Sequence, residues 1–466
     1  MSQQICIAIC AILLWVTPAH AGELIESTDS FGPFGTLHMY QANNHPDHLV
    51  LLISGDGGWN LGVIDMARTL AALDSMVVGI DITHYIPRLN SARDRCNYSA
   101  ADFETLSQYL QKKYRFEHYV QPVLVGYSSG ATMVYTILAQ SPANTFAGGI
   151  SLSFCPDLKT DKPFCRGSGN LKANQDAQLG FIYHAVDQLP SPWSVLQGNI
   201  DQVCPSPAAQ SFVTKVAGAE FIDLPRVGHG FSVRHNWGPQ FKSTFQRMVS
   251  TQAAHATPAL HDAEVRDLPL IVMPTAKQSD VMAVIISGDG GWASLDKQIG
   301  ETLNSKGIAV IGLNALQYFW SKKTPDIAGA DMTRILTHYS RKWAINRFLL
   351  IGYSRGADTL PFMASRLPAA LKMKVVSITL LGMEKTVDFE FHVGDWLSSS
   401  SGEYQVIPEV AKLAPVKVIC IYGSDESNSG CSKLTGTAKP IEMAGGHHFG
   451  GDYKRVADII MQQSRH

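Results

Sequence analysis

The sequence predicts two successive α/β domains, each a mostly parallel sheet covered by helices. Two observations carry that prediction. The first is an internal duplication. LLISGDGGW at 51–59 recurs as VIISGDGGW at 284–292, LVGYSSGA at 124–131 recurs as LIGYSRGA at 350–357, and VGHGF at 227–231 is answered by GGHHF at 445–449. Three matches in the same order mark tandem duplication of a whole domain, not a short solenoid repeat. The second is a set of short apolar runs at corresponding places: 48–54, 75–81, 120–126 and 147–154 in the first half, and 280–287, 307–313, 347–352 and 375–381 in the second. Runs rich in Val, Ile and Leu without alternation are buried on both faces, as in a parallel sheet. Helix-like stretches such as 65–73 and 102–114 separate them.

The chain has 466 residues, enough for two domains of about 200. With 45% hydrophobic and 17% charged residues it has material for a core and is not disordered. A net charge of -2 without a basic block excludes a nucleic-acid interface of the usual kind. Residues 1–21 read as a signal peptide. The run from Ile5 to Val16 is apolar but too short to span a bilayer, and Ala19-His20-Ala21 fits a small-x-small cleavage site. The domains follow as 22–250 and 265–466, joined by an Ala-rich linker at 251–264. Six cysteines remain after export. Cys155 with Cys165, and Cys420 with Cys431, are close enough in sequence to pair. No cysteine or histidine cluster suggests a metal, and no cofactor is expected.

Gly126-Tyr127-Ser128-Ser129-Gly130 and Gly352-Tyr353-Ser354-Arg355-Gly356 both match G-x-S-x-G between an apolar strand and a helix-like segment. This is the nucleophile elbow of α/β-hydrolases. Ser128 and Ser354 are the candidate nucleophiles. An oxyanion hole would combine the backbone amides of Ser129 and Arg355 with donors from Asp56-Gly57 and Asp289-Gly290 in the Gly-rich loops. The base comes last in chain order. His229 is the candidate in the first half; His447 is the candidate in the second, with His448 as competitor. Asp201 is the acid expected in the first half. Asp425 and Glu426 both remain open in the second, with repeat alignment favouring Glu426. The implied chemistry is attack on an ester carbonyl, an acyl-enzyme, and hydrolysis by water.

ISGDGGW in both halves, GYSRGAD at 352–358 and GGHHFGGDY at 445–453 resemble the AcvB/VirJ family of periplasmic bacterial proteins, over essentially the whole chain. The resemblance implies a periplasmic serine hydrolase that releases the aminoacyl group of lysyl- or alanyl-phosphatidylglycerol at the membrane surface. It places the family serine on Ser354 and its histidine on His447, and links members to virulence, DNA transfer and type IV secretion components. An aminoacyl ester carries an ammonium, so Asp358 or Asp289 is expected to contact it and Arg355 to contact the lipid phosphate. A periplasmic carboxylesterase for small esters and a non-catalytic secretion-associated chaperone are the competing readings.

Overall fold

The computed structural model describes residues 24–256, 264–275, 279–392, 402–427, 429–434, 436 and 438–464. The predicted signal peptide lies outside them. In the first half the strands are β1 (Ile25–Phe31), β2 (Gly35–Gln41), β3 (His48–Ile53), β4 (Ser75–Ile80), β5 (Val123–Tyr127), β6 (Gly148–Leu152), β7 (Asp157–Leu158), β8 (Ala173–Asp176), β9 (Gly180–Tyr183), β10 (Trp193–Gly198) and β11 (Glu220–Leu224). Eight of them form one sheet in the order β1-β2-β4-β3-β5-β6-β10-β11. Only β1–β2 and β2–β4 are antiparallel. The remaining three make a small separate sheet in the order β7-β9-β8.

The second half carries β12 (Leu270–Met273), β13 (Val281–Ile286), β14 (Ala309–Leu313), β15 (Arg347–Tyr353), β16 (Val375–Leu381), β17 (Thr386–Val387), β18 (Tyr404–Gln405), β19 (Lys417–Gly423) and β20 (Ala438–Met443). Its sheet, β12-β14-β13-β15-β16-β19-β20, repeats the first with one strand fewer at the antiparallel edge. β3, β4, β5 and β13, β14 are buried along nearly their whole length, as non-alternating apolar runs require. Helices cover both faces, and each sheet has an apolar cluster on either side.

Topology positions the sites. After β3 the chain moves to β4 on one side, then crosses back to β5 on the other, so the loops leaving β3 and β5 diverge. Such a switch point, at the carboxyl ends of parallel strands, is where open α/β sheets bind ligands. The same switch falls between β13 and β15.

Two expectations need correction. Residues 251–256 belong to helix Gly238–Ala256 and are not linker. Alanine lowers the cost of extending a helix, so the Ala-rich stretch begins by continuing this one. The disulfides are Cys96–Cys165, Cys155–Cys204 and Cys420–Cys431. Cys155 and Cys165 do not pair. Cys155 leaves β6 beside the loop that follows the adjacent β10, where Cys204 lies, while Cys165 is carried to Cys96 by the bridge between Asn97 and Phe164.

Candidate active site

Each G-x-S-x-G segment forms a strand-to-helix elbow. Ser128 sits between β5 and helix Ser129–Gln140 with φ 55° and ψ -120°; Ser354 sits between β15 and helix Arg355–Ser365 with φ 52° and ψ -123°. A non-glycine residue there is strained, and the surroundings must hold it. The flanking glycines show how. A Cβ on Gly126 would lie 2.1 Å from the Gly130 carbonyl oxygen, and one on Gly130 would lie 2.4 Å from that of Ile53. Gly352 and Gly356 meet the same obstacle at 2.2 and 2.1 Å. The motif is spaced so that the helix can press backbone to backbone on the neighbouring strand.

The ISGDGGW loops are equally explicit. The buried hydroxyls of Ser54 and Ser287 accept the amides of Ile82 and Ala315, at 3.0 and 2.9 Å, fastening each loop to the start of the helix that follows the adjacent strand, β4 or β14. Gly55 and Gly288 abut the nucleophiles, with Cβ positions 3.0 and 3.2 Å from Ser128 Cβ and Ser354 Cβ. The turns close through Gly58 N–H to the Gly55 carbonyl and Gly291 N–H to the Gly288 carbonyl. That leaves the amides of Asp56-Gly57 and Asp289-Gly290 outside the turn's own bonds. Beside them, the amides of Ser129 and Arg355 open helices, whose first N–H groups have no intrahelical partner and favour negative charge. Trp59 and Trp292 pack instead of lining a pocket: their rings lie 2.2 and 2.4 Å from the Cβ positions of Gly79 and Gly312 on the neighbouring strands.

In the first half the side chains form a continuous relay. Ser128 Oγ is 3.1 Å from His229 Nε2, and His229 Nδ1 is 3.0 Å from Asp201 Oδ2. The buried Asp201 also accepts the amides of Val203 and Cys204, each at 2.9 Å. Tyr127 Oη donates to the His229 carbonyl at 2.8 Å and holds the histidine loop over the elbow.

In the second half the open choices resolve. His447 Nδ1 is 2.5 Å from Glu426 Oε1, and Glu426 Oε2 accepts the Gly423 amide at 2.6 Å. Burial raises the Glu426 acid, but the hydrogen bonds from His447 and Gly423 outweigh it and hold the carboxyl below its usual range. Asp425 is exposed and makes no contact with His447. His448 turns its Nδ1 to Tyr353 Oη at 2.9 Å, while Tyr353 Oη also reaches the His447 carbonyl at 3.4 Å. Among the described residues Ser354 Oγ carries no hydrogen bond, so the second relay is joined from acid to base only.

The charged residues near Ser354 are held internally. The Arg355 side chain pairs with Asp289 and donates to the carbonyls of Asp388 and Glu390 at 2.8 and 3.1 Å. Asp358 is buried and accepts the Glu384 amide at 2.7 Å. Burial pushes its acid well up. Its counterpart Thr132 donates to the Cys155 carbonyl at 2.6 Å, so both residues staple the same loop to the nucleophile helix.

One residue had no signal in the motifs. Ser153, just past β6, donates to Asp201 and lies 2.9 Å from His229 Nδ1. Among the described residues, no group of acidic, histidine and cysteine side chains could hold a metal ion, and no helix is long and apolar enough to cross a membrane.

Paired sheets with strained serine elbows at their switch points define two tandem domains of the α/β-hydrolase class. The sequence profile of the family described as bacterial virulence protein (VirJ) matches residues 47–148 and 280–466, well over half of the chain, and the chain belongs to that family. No curated protein matches the sequence. Similar solved structures include a dienelactone hydrolase from Anabaena variabilis, 14% identical and covering 49% of this chain and 97% of that one, with a TM-score of 0.34. A serine hydrolase without a lid from Xanthomonas campestris is 18% identical, covers 51% and 98%, and has a TM-score of 0.32. Est1E from Butyrivibrio proteoclasticus is 13% identical, covers 49% and 99%, and has a TM-score of 0.34. Likenesses at this level bear on neither substrate nor activity.

Proposed function

We propose that the protein is a periplasmic serine hydrolase that cleaves the aminoacyl ester of aminoacyl-phosphatidylglycerol, releasing the amino acid and phosphatidylglycerol. The observation that carries the hydrolase reading is the Ser128–His229–Asp201 relay at a strained elbow, with His447 and Glu426 repeating its base and acid near Ser354. The serine attacks the ester carbonyl, the histidine takes its proton and returns it to the leaving alcohol, and the carboxylate holds the imidazole in the useful tautomer. The elbow and loop amides stabilise the oxyanion. Water then releases the acyl group by the same route.

Family membership and the ester chemistry support the lipid substrate. So do Ile200 and Val203, close to Asp201 in sequence and 60% and 65% exposed, an apolar surface suited to acyl chains. The leader-like N-terminus and three disulfides support an oxidising compartment. A fluorophosphonate probe tests the nucleophiles directly. Peptide mapping should find the label on Ser128, on Ser354, or on both; a folded protein that takes up no label would contradict the reading.

A further inference from the structure

The two halves touch beside the second half's Gly-rich loop. Asn144 Nδ2 donates to the Trp292 carbonyl at 3.3 Å, and Trp320 Nε1 donates to the Phe116 carbonyl at 3.0 Å. Lys112 Nζ bonds the Trp320 carbonyl and lies 3.5 Å from Glu390. Tyr119, Leu316, Trp320 and Phe391 form one buried apolar cluster between the halves. Helix Ser99–Lys113 therefore lies against the 287–292 loop and against the segment that holds Arg355.

Glu104 on that helix comes nearest the site. Its Oε1 lies 4.0 Å from the Cβ position of Gly290, two residues beyond Gly288, which abuts Ser354. Among the described residues no cation or hydrogen-bond donor meets this carboxylate. Its polar neighbours are Tyr98 and Tyr119, and Lys112 two turns on is engaged by Glu390. The side chain keeps partial exposure, yet burial pushes its acid up to about 7. That combination describes a carboxylate in a crevice between the halves. The two carboxylates to which the sequence pointed are already spent, Asp289 on Arg355 and Asp358 on the Glu384 amide.

We propose that Glu104 of the first half is the cation-recognising group of the second half's ester site, selecting acyl groups that carry an ammonium far from the ester carbonyl. This rests on the ester-hydrolase reading. Gly288 and Gly290 lie in one closed turn, at most about 7 Å apart, which sets Glu104 no more than roughly 14 Å from the nucleophile's Cβ. An extended lysyl side chain places its terminal nitrogen about 7 Å from the ester carbonyl, and a charge-assisted hydrogen bond of about 2.8 Å extends that reach. An α-ammonium, two bonds from the carbonyl, reaches less far. An arriving ammonium also supplies the missing partner and restores the ionised carboxylate.

The test uses the full chain with Ser128→Ala, which isolates the second site. The ratio of kcat/KM for lysine ethyl ester to that for ethyl hexanoate is measured before and after adding Glu104→Gln or Glu104→Lys. The ratio should fall about tenfold with glutamine, mainly through KM, and further with lysine. An unchanged ratio in both variants would overturn the proposal. Calorimetric binding of lysinamide to the Ser128→Ala, Ser354→Ala protein needs no turnover. Binding lost with Glu104→Gln supports the assignment; equal binding, or none before the change, refutes it. Glu104-dependent lysinamide binding in a chain that hydrolyses no ester would sink the hydrolase reading and leave the cation site standing.

Discussion

Ser153 and Gly382 occupy the same point of the two repeats and complete the two relays differently. Each follows the strand beside the nucleophile strand, each has positive φ (57° and 64°), and each donates its amide to the next strand, at Leu196 and Ile421. Ser153 sets a hydroxyl against both Asp201 and His229, beside their direct contact. At Gly382 a Cβ would lie 2.7 Å from His447 Cε1, so the second half uses glycine there and His447 meets Glu426 with no hydroxyl added at that point. A serine in the left-handed region is retained at a conformational cost of about 1 kcal/mol, offset by its bonds to the acid–base pair.

Ser153→Ala should therefore lower kcat at the first site about tenfold, since a hydrogen bond to a charged group is worth about 1.5 kcal/mol or more. KM should change little. Kinetics in a Ser354→Ala background measure this. An unchanged kcat would show that the hydroxyl has no part in holding Asp201 and His229.

Gly130→Ala should unfold the first half's elbow, because the new methyl would lie 2.4 and 2.5 Å from the carbonyl oxygens of Ile53 and Ser54. Neither is the end of a flexible side chain. A loss of roughly 3 kcal/mol is expected, a fall of about 8 °C in the melting of that half by calorimetry.

The Cys155–Cys204 disulfide joins the loop of Ser153 to the loop of Asp201 across a sequence separation of 49. Replacing both cysteines by serine should destabilise the first half by about 4 kcal/mol on the loop-entropy model. First-site turnover should drop while second-site turnover persists. Equal loss at both sites would mean that the halves do not fold as separable units.

Glu104 gives a pH signature independent of catalysis. An acid whose folded pKa, here about 7, exceeds its unfolded value binds more protons folded than unfolded. Stability then falls as pH rises between the two values. Glu104→Gln should leave the melting temperature unchanged near pH 4 and raise it above that of the parent at pH 8. Tyr98, Tyr119 and Lys112 face the same crevice but stay in one protonation state over that range. A difference that does not vary with pH would contradict the assignment.

Much of this architecture was legible because the duplication printed each element twice. His229 and His447 could be matched by their glycine-flanked loops, and Asp201 by its distance from the strand-ending glycine. Asp425 and Glu426 could not be separated by spacing, since only burial and direction distinguish adjacent carboxylates on a turn. Ser153 was invisible for a different reason. Its role depends on a positive φ beside a strand end, and no motif surrounds it; Gly382 at the same repeat position was the one available sign. Asp358 marks a limit of spacing: a charge one turn from a nucleophile can face the core as readily as the cleft, and this one is buried on the Glu384 amide. The edge strands β1 and β2 are partly exposed and lack the apolar runs that marked β3 and β4. The contacts of Glu104 join the halves, which no pattern within one repeat could reveal.

Incubating the mature protein with vesicles containing lysyl- or alanyl-phosphatidylglycerol and measuring free amino acid decides whether the protein is an aminoacyl-lipid hydrolase. Parallel samples carry Ser128→Ala, Ser354→Ala, or both. The parent protein should release amino acid, at least one single change should reduce release, and the pair should abolish it. Release that survives the double change, or no release from a folded parent, would contradict the proposed function.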